Sequence, residues 1–122
     1  MSKDLYERAV AISQRAYAPY SNYLVGAAVR TRDGKVFEGV NVENAAYPLG
    51  ICAEKAALAK AVSEGYKPGD IEAIAITASP CGGCRQWLYE FRIDEVTFPG
   101  SSGELRSYSA AELLPDTWDL PA

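Results

Sequence analysis

A chain of 122 residues carries three cysteines and no histidine, and the cysteines are spaced so that one metal ion could use all of them. Cys52 stands alone, Cys81 and Cys84 lie in Pro80-Cys81-Gly82-Gly83-Cys84, and Glu54 follows the first cysteine by two positions. A zinc ion held by three thiolates keeps a fourth position open for water, which is the catalytic arrangement and not the closed structural one. Glu54 is then the natural proton carrier. Without an imidazole, Ser-His and Cys-His hydrolase machinery cannot be assembled, and proton transfer falls to Glu, Asp, Lys, Tyr or water.

The elements that must position these residues follow from periodicity and punctuation. Leu5, Ala9, Ile12 and Ala16 recur at helical spacing after Ser2, a residue type suited to the N-cap, and Pro19 stops the helix. Leu24 to Thr31 and Val36 to Glu43 are expected to be strands joined through Asp33-Gly34. A loop over 44–50 leads into a helix that starts near Cys52 and ends at Gly65. Ile71 to Thr77 reads as a buried strand running into the Pro-Cys-Gly-Gly-Cys turn and a helix to about Phe91. Glu95 to Phe98 and Leu105 to Tyr108 are short strands, and Ser109-Ala-Ala-Glu112 is a capping box that opens a last helix before Pro115. Strands alternating with helices predict an α/β layered domain with an antiparallel hairpin at the front and a parallel portion where helices cross over.

Length and composition fit a single domain over residues 1–122. A net charge of -4 argues against affinity built on neutralising phosphates, so a small neutral substrate fits better than nucleic acid. No apolar run is long enough to span a membrane. The charged start of the chain lacks a signal-peptide core, and the odd cysteine count suits a reducing compartment, so a cytoplasmic location is expected.

Cys81-x-x-Cys84 alone also suits a redox pair or half of a zinc ribbon, although a ribbon needs a second ligand pair and only one further cysteine exists. Cys52 and the Cys81–Cys84 pair each open a helix, so both helix dipoles favour thiolate. Three thiolates on a dication leave net negative charge, and Lys55 and Arg85 are the cations placed to offset it. Combined with Glu54, the pattern matches the zinc deaminase signature, in which a non-ligand Glu is general acid and base.

The chain resembles the cytidine deaminase family in its small zinc-dependent form. The matching stretches are Ala18-Pro-Tyr-Ser-Asn-Tyr-Leu-Val-Gly-Ala-Ala, Gly39-Val-Asn-Val-Glu-Asn-Ala-Ala-Tyr, Ile51-Cys-Ala-Glu-Lys, Ser79-Pro-Cys-Gly-Gly-Cys-Arg-Gln and Glu112-Leu-Leu-Pro. The resemblance implies a three-layer fold with a mixed five-stranded sheet flanked by helices, and a homotetramer with shared active sites. It implies zinc on Cys52, Cys81 and Cys84, and hydroxide attacking C4 of free cytidine or deoxycytidine, in the setting of pyrimidine salvage. Glu54 would deprotonate the water, protonate N3 and help ammonia depart. Asn41 and Glu43 would bind the ribose, as residues i and i+2 of a strand share a face. Tyr23 would lie near the base, the Ala53 backbone would contact the pyrimidine, and Trp118 would reach a neighbouring subunit's site. Two departures stand out. Lys55 takes a position where the family commonly has Arg, and the connection Thr77-Ala78-Ser79 is short. A different cytosine nucleoside, such as a blasticidin-type aminonucleoside, is therefore an alternative substrate. A non-catalytic zinc-stabilised module, or a Cys-x-x-Cys redox protein, is the rival from another class.

Overall fold

The structure, a computed structural model, describes residues 2–120, so the ends of the domain expected over 1–122 lie outside the described residues. Helix α1 (Lys3–Ser13) precedes strands β1 (Gly26–Thr31) and β2 (Val36–Val40). A single 3₁₀ turn at Tyr47–Leu49 leads to α2 (Ala53–Ser63), β3 (Ile71–Ile76), α3 (Gly82–Glu90), β4 (Glu95–Pro99), β5 (Leu105–Tyr108) and α4 (Ala110–Leu113). The five strands form one sheet in the order β2-β1-β3-β4-β5. β3 and β4 are parallel, joined through α3, and the other neighbouring pairs are antiparallel. This is the mixed five-stranded sheet flanked by helices that the sequence implied. None of the helices among the described residues is long and apolar enough to cross a membrane.

The alternation along Ile71-Glu-Ala-Ile-Ala-Ile decides the layering. Ala73 and Ala75 join Leu5, Ala9 and Ala28 under α1, whereas Ile74 and Ile76 join Ala53, Ala57, Leu58 and Leu88 under α2 and α3. Successive strand residues point to opposite faces, so small residues meet one helix and large ones meet two. Two glycines set how closely the helices approach. A Cβ on Gly26 would lie 2.1 Å from the Ala9 carbonyl oxygen, and one on Gly39 would lie 2.4 Å from the Ala57 backbone nitrogen. The sheet therefore bears α1 and α2 directly on its backbone, one on each face, and this fixes where α2 begins.

Helix ends follow local chemistry for the most part. Gly65 (φ 101°) closes α2, with Tyr66 N–H donating to the Ala61 carbonyl at 3.1 Å and Gly65 N–H to Val62 at 3.0 Å, a Schellman pattern. The expected capping box is present: Glu112 N–H donates to Ser109 Oγ at 3.1 Å and Ser109 N–H to Glu112 Oε1 at 2.7 Å. Three expectations are corrected. Ser2 does not cap α1, since its hydroxyl donates to Glu95 at 2.6 Å and accepts from Arg30 at 3.2 Å. Helix α1 stops at Ser13, not at Ala16, as Arg15 and Ala16 turn back onto Ile12 and Ser13 in tight i→i-3 bonds. The hairpin strands are shorter than expected at their open ends, because Val25 N–H is taken by the Asn41 side chain at 2.8 Å, and beyond Val40 the chain changes partners.

That change of partner matters for the site. Asn41 to Glu43 remain extended but lie between two other segments, with Tyr17 N–H donating to the Asn41 carbonyl at 3.1 Å and Glu43 N–H to Tyr17 at 2.8 Å. On the other side Val42 and Ile51 exchange both backbone bonds at 3.0 Å. Gly39→Ala is expected to lower stability by about 1–3 kcal/mol, the range for overpacking a tight contact, read as a lower urea midpoint with an unchanged slope. An unchanged midpoint would mean that α2 does not rest on this strand.

Candidate active site

The three sulfurs meet because two helix N-termini meet. Cys52 is the N-cap of α2 and Cys81 the N-cap of α3, both with extended backbone, and Cys84 is the third residue of α3. Their Sγ atoms all lie within 4.8 Å of one another, and none is in a disulfide. A tetrahedral zinc with bonds of about 2.3 Å needs sulfurs about 3.8 Å apart, so three thiolate donors grouped this way fit that ion. Cys81 Sγ accepts from the Cys84 N–H at 3.4 Å, an amide that the first turn of a helix leaves without a backbone partner.

The thiols are not equivalent. Cys81 is exposed and its pKa is lowered, chiefly by the Cys84 backbone N–H. Cys84 is buried and its pKa is pushed up, first by burial and then by the nearby Glu54 charge. Cys52 is raised as well, mainly by burial. Glu54, the second residue of α2, is only 4% exposed, and burial raises its pKa against the opposing pull of its own backbone N–H, the Cys84 thiol and Lys55. A carboxyl whose burial makes it hold its proton more tightly than usual is suited both to taking and to giving one.

A pocket of about 320 Å³ opens over this cluster, lined among others by Tyr23, Asn41, Glu43, Ala53, Glu54, Cys52 and Cys81. The structure thus brings together every residue named from sequence for the metal, the proton and the nucleoside except Cys84, which lies just beneath, and Trp118. Asn41 and Glu43 do not sit on a strand, yet they keep the shared direction expected of i and i+2, and both hold the chain opposite. The Asn41 side chain accepts from Val25 N–H at 2.8 Å and donates to the Tyr23 carbonyl at 2.9 Å. Glu43 Oε1 accepts from the backbone N–H groups of Tyr20 and Ser21 at 2.9 and 3.1 Å, and Oε2 accepts from the Ser21 hydroxyl. These bonds hold the Glu43 pKa down, the Ser21 hydroxyl most of all. The pocket wall also includes Val25, Ile51 and Ser79, which the sequence reading did not single out. Ile51 carried a signal in retrospect, being an exposed apolar residue directly before a ligand.

The two flanking cations differ from expectation. Arg85 does not turn to the sulfurs. Its guanidinium donates to the Pro80 carbonyl at 2.9 Å, the Leu113 carbonyl at 3.2 Å and the Ser79 hydroxyl at 3.3 Å, tying the cysteine turn to α4. Lys55 stays close: a Cβ on Gly83 would lie 3.8 Å from its Nζ and 3.9 Å from Cys81 Sγ. Trp118 is 70% exposed and outside the pocket of its own chain, so it covers neither this site nor its own core.

The family model for the cytidine and deoxycytidylate deaminase zinc-binding region matches residues 1–99. The chain belongs to this deaminase family. It is 42% identical over 119 residues to a cytidine deaminase of Halalkalibacterium halodurans, covering 91% of this chain and 89% of that protein. It is 46% identical over 109 residues to a probable cytidine deaminase of Dictyostelium discoideum, covering 84% and 73% of the two chains. The crystal structure of cytidine deaminase from Burkholderia pseudomallei superposes with a TM-score of 0.90 at 47% identity over 97% of this chain and 99% of that one. The three-cysteine cluster could hold the zinc that the family's binding region takes, and the chain is an enzyme of the zinc-dependent hydrolase kind.

The unequal thiols make an order of reaction. In metal-free protein Cys81 is expected to be alkylated first, ahead of Cys52 and then Cys84, as read by mass spectrometry of labelled peptides after short exposure to a thiol reagent. Zinc should protect all three together, and equal labelling of Cys81 and Cys84 would contradict the burial and hydrogen bonding described here.

Proposed function

We propose that this protein deaminates free cytidine and deoxycytidine, adding water and releasing ammonia to give uridine and deoxyuridine, with residues 1–122 acting as one deaminase domain. The observation that carries this reading is Glu54, a buried carboxyl in the same pocket as the three-cysteine centre. Cys52, Cys81 and Cys84 would hold zinc, which would supply Lewis acidity that makes water easier to deprotonate. Glu54 accepts a proton from the attacking water and passes it to N3 of the cytosine as C4 gains oxygen. It then carries the second proton to the departing amino group, so that water and cytidine leave as uridine and ammonia.

Binding falls to the remaining pocket residues. Ala53, at the first position of α2, offers its backbone to the pyrimidine edge, and Tyr23, 62% exposed, offers an aromatic face to the base. Asn41 and Glu43, already fixed by the loop that they hold, present their remaining lone pairs and N–H to ribose hydroxyls. The same reading takes the enzyme as a cytoplasmic homotetramer in which Trp118 of one protomer enters a neighbouring site. Three unpaired cysteines needed as thiolates favour a reducing compartment. The exposure of Tyr17, Tyr20, Tyr47, Leu49 and Trp118 supports burial against further copies. The acidic balance disfavours a nucleic-acid substrate.

Glu54→Gln keeps the shape of the side chain and removes its proton transfer, so kcat for cytidine is expected to fall at least a hundredfold or so with zinc content unchanged, followed by the ultraviolet change from cytidine to uridine. Full activity in Glu54→Gln would sink the assignment. A panel that includes deoxycytidine and blasticidin-type aminonucleosides ranks the substrates. Trp118→Ala is expected to raise KM without altering the thermal midpoint, because an exposed tail aromatic adds little to its own fold, and an unchanged KM would remove it from the site.

A further inference from the structure

Lys55 has no ion pair and no hydrogen bond to any described residue. Its one directed contact is with an aromatic ring: Nζ lies 6.0 Å from the centroid of Trp87, within the range at which an ammonium is drawn to an indole face. The ring is itself braced, lying nearly parallel to that of Phe91 (15° between planes, centroids 6.4 Å apart), and Phe91 is buried in the core between α2 and the sheet. On the other side the ammonium occupies the space over Gly83. A side chain there would touch both Lys55 Nζ, at 3.8 Å from its Cβ, and Cys81 Sγ, at 3.9 Å. Buried Phe91 thus backs Trp87, Trp87 faces Lys55, and the Lys55 ammonium and the Cys81 sulfur flank the same open position over Gly83. Arg85, the other cation next to a cysteine, is bonded to two carbonyls and a hydroxyl, none of them on a candidate sulfur ligand.

We propose that Trp87 is a positioning residue for the three-cysteine centre: its indole face holds the Lys55 ammonium over Gly83 and beside the Cys81 sulfur, where the cation offsets thiolate charge. A lysine has a flexible stem and a strongly hydrated head, and unlike a guanidinium it has no rigid fork to keep it in place. The ring supplies that restraint. Gly83 supplies the room. Groups that surround ligand atoms in this way tune metal affinity and electronics without touching the metal. The inference rests on zinc binding at Cys52, Cys81 and Cys84.

The test is a double-mutant cycle on intact protein, read as zinc affinity by competition with a chromophoric chelator and as the sulfur-to-cobalt charge-transfer band of the cobalt-substituted form. Lys55→Met is expected to weaken zinc roughly tenfold, the lower end for lost partners around metal ligands. Trp87→Leu, which keeps apolar bulk against Phe91, should weaken it about two- to fivefold, as loss of a partly exposed cation–π contact implies. Trp87→Phe should retain most of the affinity, and in the Lys55→Met background Trp87→Leu should cost nothing more. The charge-transfer band should shift in Lys55→Met and move partly in the same direction in Trp87→Leu. Equal losses from Trp87→Leu with and without Lys55 would overturn the proposal, since the ring would then act through packing alone. Unchanged affinity in Trp87→Leu, or a loss in Trp87→Phe as large as in Trp87→Leu, would overturn it too. Absence of the charge-transfer band in the cobalt form of the wild-type chain would overturn the zinc reading together with the proposal, whereas a normal band with additive losses overturns the role of Trp87 alone.

Discussion

Three sulfurs from two helices have to come within reach of one cation, and most of the molecule serves that convergence. Cys52 and Cys81 are both N-caps, so each lies at the positive end of a helix, and the Cys81 sulfur also accepts one of the free amides there. The position of α2 depends on Gly39, whose missing side chain lets the helix rest on β2. The position of α3 depends on β3, which delivers the chain through residues 77–80 directly into the cysteine turn. Both strands run antiparallel to β1 and so finish at the same end of the sheet. A shift of one helix by the size of a methyl group would separate sulfurs that now lie within 4.8 Å.

That closeness costs free energy unless a cation is present. Two thiolates at 4.8 Å repel by about 3–4 kcal/mol at the effective dielectric of a protein interior, and Glu54 adds a carboxylate beside them. Burial is the largest reason that Cys84, Cys52 and Glu54 all hold their protons more tightly than usual, and for the two thiols the charges of Glu54 and of the other cysteines add to it. Only Cys81, exposed and hydrogen-bonded by a backbone amide, is lowered. A bound dication would reverse the balance for the sulfurs, which must be thiolates to ligate, while Glu54 would keep the buried setting that disfavours its charge.

How much of this the sequence disclosed depended on whether the deciding partner was near in the chain. Cysteine spacing, the Schellman end at Gly65, the capping box at Ser109 and the Ile/Ala alternation of β3 are all local patterns, and all were legible. Ser2 was misread as a cap because its partners, Glu95 and Arg30, are remote. Arg85 was named as a cation to offset thiolate charge because adjacency to Cys84 was all the sequence offered, and its bond to the Leu113 carbonyl, 28 residues away, had no local signal. The strand through Asn41 and Glu43 ended early for a similar reason. Alternation continues past Val40, but the neighbours become Tyr17 and Ile51, and no periodicity records a change of partner.

Asn41 and Glu43 show what such a change of partner does for a pocket wall. A side chain at the end of a ladder can bond to backbone groups that regular pairing has released, and here the two hold Tyr20, Ser21, Tyr23 and Val25 in a fixed loop. Those bonds occupy one lone pair and one N–H of Asn41, leaving the rest free toward the pocket. Glu43 is kept ionised by three donors on one side, so it can accept from a hydroxyl on the other without reorganising. The wall that carries Tyr23 and the groups suited to a sugar are therefore one unit. Loop order and polar presentation rise and fall together, and ligand binding does not have to meet the entropy of arranging them.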